Sequence, residues 1–143
     1  MTEAIPPSLT ETRARLGETE KLTINLGVVD LGQIDLLVQE GFYSNRTDLI
    51  RTAIRNQLAQ HGDALRSTVA RRTLVLGLQS FSRADLERAR ASRRMLQIHV
   101  VGLARIAADV PPDLARDTIE SVEVLGAFQA SAEVRDALRD RIR

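Results

Sequence analysis

Residues 21 to 26, KLTINL, alternate strictly between apolar and polar side chains. In a strand, Leu22, Ile24 and Leu26 point one way and Lys21, Thr23 and Asn25 the other. The pattern then changes period. In GVVDLGQIDLLVQEG, Leu31, Ile34, Leu37 and Val38 fall at helical spacing, and Gly41 stands where a helix C-terminus would be capped. In FYSNRTDLIRTAIRNQLAQHG, Leu49, Ile50, Ala53, Ile54 and Leu58 form one apolar stripe. Ser44 is placed to cap the start of this second helix and Gly62 to end it.

One short strand and two amphipathic helices do not make a complete domain. A lone strand leaves its edge groups unpaired and its apolar face bare. Two chains pairing these strands antiparallel would set Leu22, Ile24 and Leu26 of both on a four-helix core. Ile34, Leu37, Leu49, Ile50 and Ile54 would complete that core. Lys21, Thr23 and Asn25 would project together from a two-stranded ribbon, whose width fits the DNA major groove.

KLTINL, the helix ending at Gly41 and YSNRTDLIRTAIRNQL together resemble the ribbon-helix-helix family of bacterial DNA-binding regulators, the MetJ, Arc and CopG type. The resemblance covers about residues 20–61. It implies base reading by Lys21, Thr23 and Asn25, and phosphate anchoring at the start of the second helix by Ser44 and Asn45, with Arg46 as a helper. The residue types suit those roles: Asn pairs with adenine, Lys reaches guanine, and Thr offers a hydroxyl or touches a thymine methyl.

The second half repeats itself. VVGLARIAADVPPDL (100–114) and VLGAFQASAEVRDAL (124–138) align without a gap at an offset of 24. Gly102 matches Gly126, Val110 matches Val134, and Leu114 matches Leu138. LVLGLQSFSRADLERA (74–89) is a looser third copy, with Gly77 in the glycine place and Leu86 in that of Val110. Each unit reads as a β-run through a glycine followed by a short helix, with Pro111 and Pro112 suited to a first helical turn. Such units stand alone as a small solenoid or share a sheet between protomers. Their edge strands would join one dimer to the next.

The fold class expected is therefore α+β. Residues 1–19, with Pro6, Pro7 and Gly17, form a flexible arm; residues 20–62 form the ribbon-helix-helix domain; residues 63–143 form a β-α repeat domain for assembly.

Charge modifies this picture. The net charge of +1 hides a gradient: residues 20–61 sum to −1, and residues 62–95 carry eight Arg against Asp63, Asp85 and Glu87. A DNA reader is usually basic, so that arginine block is the candidate source of the missing field. Its alternative role is to solvate helix surfaces.

Candidate chemistry is sparse. There is no cysteine, no phosphate-binding glycine loop, no HExxH and no GxSxG. Nickel-responsive members of the family use clustered His and a Cys; this chain has His61 and His99 alone, and His99 reads as a strand residue. Asp113, Asp117 and Glu120 read as a solvated helix face, and Ser44, Ser80, Ser82 and Ser121 have no evident base. No enzyme activity and no cofactor are expected. No signal peptide or membrane span is visible, which suggests a cytoplasmic, nucleoid-associated protein. The expected partners are double-stranded DNA and further copies of the chain. The function expected is a DNA-binding transcriptional regulator, a repressor. An antitoxin whose second half grips a protein partner, and a structural assembly protein that uses its first module only to dimerise, are the alternatives.

Overall fold

The computed structural model describes residues 18–143; the start of the expected flexible arm lies outside the described residues. Two compact units are present. One comprises residues 21–68, the other residues 69–143 together with residues 18–20.

The first unit contains α1 (Val28–Gln39) and α2 (Arg46–Gln60). Glycine determines where α1 stops. Gly41 has φ +86°, a left-handed conformation that costs glycine little. Its N–H donates to the Val38 carbonyl at 3.1 Å, and the Phe42 N–H donates to the Leu37 carbonyl at 3.0 Å. These two bonds satisfy carbonyls that the helix end would otherwise leave bare. α2 starts one residue later than expected. Its cap is Asn45, not Ser44: Asn45 Oδ1 accepts from the Asp48 N–H at 2.8 Å. Ser44 takes a supporting part, its N–H donating to Asp48 Oδ2 at 3.0 Å. Both residue types cap well, and the backbone decides, because Asn45 has the extended conformation a cap requires.

Gly62 does not end α2. The helix closes at His61, and Gly62 opens a third helix, α3 (Gly62–Arg71). The His61 carbonyl accepts from the Leu65 N–H at 2.9 Å, so the chain breaks for one residue and resumes. Asp63 in the first turn of α3 favours its N-terminus and pairs with Arg66 one turn on.

The second unit alternates strand and helix. β1 (Val75–Phe81), α4 (Arg83–Ala91), β2 (Leu96–Ile106), α5 (Pro112–Thr118), β3 (Ile119–Gln129) and α6 (Ala132–Ala137) follow in order, and a 3-10 turn covers Arg139–Arg141. The three strands form one parallel sheet in the order β1-β2-β3, within a single chain. Gly77 pairs with Gly102, and Gly102 with Gly126. Between β2 and β3 the paired positions differ by 24 residues from Gln97 onward; between β1 and β2 they differ by 25. The third copy therefore aligns at a different offset, and Leu86, inside α4, is not the counterpart of Val110, which precedes α5.

The three glycines do not sit in ordinary strand conformations. Their φ values are +132°, +137° and +123°. A Cβ on Gly102 would collide with the Gly77 carbonyl oxygen, and one on Gly126 with the Gly102 carbonyl oxygen. Adjacent backbones approach too closely there for any side chain.

The core lies between one face of this sheet and the helices. Ile98, Val100, Ala104, Ile106 and Val122 point into it and meet Leu86 of α4, Leu114 and Ala115 of α5, and Val134 of α6, with Leu138 beyond. Alternation along β2 sends these residues inward and Gln97, His99, Val101 and Arg105 to the other face. Capping supports the helices: Ser82 and Asp85 form a reciprocal capping box on α4, Pro112 opens α5, and Ser131 Oγ accepts from the Val134 N–H on α6.

Candidate nucleic-acid interface

Residues 21–27 have no hydrogen-bonded ladder in the single chain. Lys21, Thr23 and Asn25 are exposed, and so is the apolar row between them: Leu22 is 80% exposed, Ile24 57% and Leu26 43%. The alternation is therefore uncovered on both faces. The same holds throughout residues 21–68, where no residue is buried. Of the positions expected in a shared core, Ile34, Leu49 and Ile50 are half-buried, while Leu37 and Ile54 lie exposed. An apolar surface of this extent is what an unfinished core presents.

The start of α2 is built as a capped helix end. Asp48 places a carboxylate in the first turn, where the helix dipole favours it, and that carboxylate binds the Ser44 N–H. The N–H groups of Arg46 and Thr47 are the donors left at this end. The Ser44 N–H is thus occupied, and a phosphate arriving here would meet the Asp48 charge.

Arg46 is also engaged. Its guanidinium makes a two-pronged contact with Asp35 of α1, Nε to Oδ1 at 2.7 Å and Nη2 to Oδ2 at 2.8 Å. The Arg46 hydrogen bonds hold the Asp35 carboxyl below its ordinary range, and Asp35 holds the guanidinium above its own. Both side chains are about half exposed. The pair fastens α1 to the first turn of α2 and neutralises the cation nearest that helix end.

The expected arginine field is partly spent internally. Arg66 pairs with Asp63, Arg72 with Glu123, Arg83 with Glu87, Arg88 with Asp85, and Arg90 with Asp117. Among the described residues, Arg71, Arg93 and Arg94 have no carboxylate partner. Two further unpaired cations, Arg51 and Arg55, stand exposed one turn apart on α2. Their spacing, four residues apart on an amphipathic helix, was the signal in the sequence that marks them as a pair.

The acids considered as a cluster are dispersed among other partners: Asp117 faces Arg90, and Glu120 accepts from Gln97 at 3.1 Å. No group of three metal-ligating side chains occurs among the described residues. His99 lies on β2, its Nε2 3.2 Å from Ser121 Oγ. No helix among the described residues is long and apolar enough to cross a membrane.

Comparison with known proteins agrees with the helical module. Residues 17–135 match the Ribbon-Helix-Helix transcriptional regulator family, and the chain belongs to it. The match continues past the two helices and through the three-stranded sheet. No curated protein and no solved structure matches the chain significantly. Membership makes this a DNA-binding regulator of a dimerising family.

Proposed function

We propose that the protein is a sequence-specific repressor that binds the major groove as a dimer. Two copies of residues 21–26 pair antiparallel, and the paired strands carry Lys21, Thr23 and Asn25 onto base edges. The observation that carries this reading is the absence of any buried residue in 21–68, beside an exposed apolar row at Leu22, Ile24 and Leu26. A second copy supplies the missing half of that core. The donors at the start of α2, with Asn45 holding the turn and Ser44 beside it, anchor one backbone phosphate. Arg46 helps once it leaves Asp35. The second unit, residues 69–143, joins dimers so that neighbouring sites are bound cooperatively.

Selection from random duplexes tests the reading. The purified protein should enrich one short sequence with two-fold symmetry, and its mass in dilute solution should be at least that of a dimer. Enrichment without sequence preference, or a monomer at tens of micromolar concentration, overturns it.

A further inference from the structure

The helices cover one face of the parallel sheet. The opposite face carries an apolar band. Leu76, Val101 and Leu125 lie in register across the three strands, and so do Leu78, Leu103 and Ala127. Between these rows runs the glycine row, whose groove is flanked by Leu78, Leu103 and Ala127 and also touched by Glu18 and Glu20. Leu76 is 65% exposed, Leu125 51% and Leu78 48%. Parallel sheets are almost always covered on both faces, because their strands are apolar on both.

We propose that this band is the surface through which a second copy of the same sheet docks. The inference deepens the assembly role proposed above and rests on it, but it moves the contact from the strand edges to the sheet face. Three observations select a second copy as the occupant. The first is shape. A two-fold interface must fit itself, and this face offers both apolar ridges and a groove without side chains for a ridge to enter. The second is charge. Beside the band, Arg72 is paired with Glu123, and Arg105 donates to Gln129 Oε1 at 3.0 Å. Two copies meeting here would not bring bare charges of one sign together. The third is supply. In a dimerising family each sheet is held near another, at an effective concentration far above that of a free partner.

The chain has no cysteine, so one introduced thiol reports one contact. Leu125→Cys and Leu78→Cys, made separately in the full chain and oxidised at low micromolar concentration, should each convert most of the protein to a covalent pair. Arg88→Cys, on the exposed side of α4, controls for chance collision and should stay single. Light scattering on the unmodified protein reports the ribbon dimer separately. Covalent pairing through position 125 or 78 in a protein whose ribbon fails to dimerise supports the docked sheets and removes only the ribbon. A dimer by mass in which both face thiols pair no better than Arg88→Cys overturns the docked sheets and leaves the ribbon standing. Such a result includes the case in which residues 1–17 or another protein occupies the band.

Discussion

Residues 21–68 and residues 69–143 are similar in their supply of apolar side chains and opposite in what becomes of them. In the first unit no residue is buried. In the second lie all the buried hydrophobic residues, from Leu74 to Leu138. Sequence distance explains the difference. Each β-α step of the second unit returns the chain to the sheet beside the strand it has just left, so a helix always finds an apolar face within its own chain. In the first unit one strand and two helices leave nothing to cover the strand. Stability in the second unit belongs to the chain, and in the first to the assembly.

The sharpest way to break this contrast is a charge in the apolar row. Ile24→Asp places a carboxylate without a partner in the proposed shared core, a change of about 4 kcal/mol or more. It should abolish dimerisation through the ribbon and DNA binding together. Hydrogen exchange should show residues 21–68 losing protection while residues 69–143 keep theirs. A variant that binds DNA like the parent would mean that Ile24 is not at an interface. The reciprocal change, Leu114→Ala, should cost about 2–5 kcal/mol, because Leu114 is 1% exposed in the core of the second unit. Its effect should fall on the thermal unfolding of the sheet, with the affinity of a single dimer for one site retained.

The glycine row sharpens the same contrast inside the second unit. Gly102→Ala drives a methyl group into the Gly77 carbonyl, whereas an alanine at Gly77 meets nothing within 4 Å. Both positions also carry the strain of a positive φ, about 1–3 kcal/mol for a residue with a side chain. Gly77→Ala should cost that alone. Gly102→Ala should cost distinctly more, and Gly126→Ala should resemble it. Equal unfolding free energies for Gly77→Ala and Gly102→Ala would show that the backbones separate easily.

These particulars mark what was legible in the sequence. The stop of α1 at Gly41 could be read because a left-handed cap is a local event with a local residue signature. The start of α2 was misplaced by one residue because Ser44 and Asn45 are both competent caps and only the backbone angles choose between them. α3 was missed because Gly62 was read as a stop, although Leu65 and Val69 behind it keep helical spacing. Gly77, Gly102 and Gly126 were found by internal alignment, but their order across the sheet is a non-local pairing that periodicity does not encode. At the candidate interface, exposure of Lys21, Thr23 and Asn25 followed from alternation. The engagement of Arg46 by Asp35 did not, since it joins residues on two different helices.

On DNA the expected effects are smaller and separable. Asn25→Ala should lose about 1–3 kcal/mol on the selected site and little on random duplex. Arg51→Ala and Arg55→Ala should weaken both kinds of DNA alike, each lowering the salt slope by about one unit, if these unpaired cations of α2 neutralise phosphates. Equal losses for Asn25→Ala on both duplexes would remove its base-reading role.

The smallest effect concerns the Arg46–Asp35 pair. The carboxyl of Asp35 is held below its ordinary value of 3.8 by the Arg46 hydrogen bonds. A group lowered in the folded state contributes stability above its unfolded pKa and loses it as pH falls through the lowered one. Asp35→Asn should therefore reduce stability slightly at neutral pH, and the difference from the parent should fade as the medium is acidified below 3.8. DNA binding should move the other way. With Asp35 neutral, Arg46 no longer has to leave a carboxylate before it meets a phosphate. Asp35→Asn should then bind cognate and random duplex more tightly at low salt, with a steeper salt dependence. Arg46→Ala should cancel that gain in the double variant. If Asp35→Asn tightens binding just as much with Arg46 removed, the gain is a general effect of net charge, and Arg46 serves only to fasten α1 to α2.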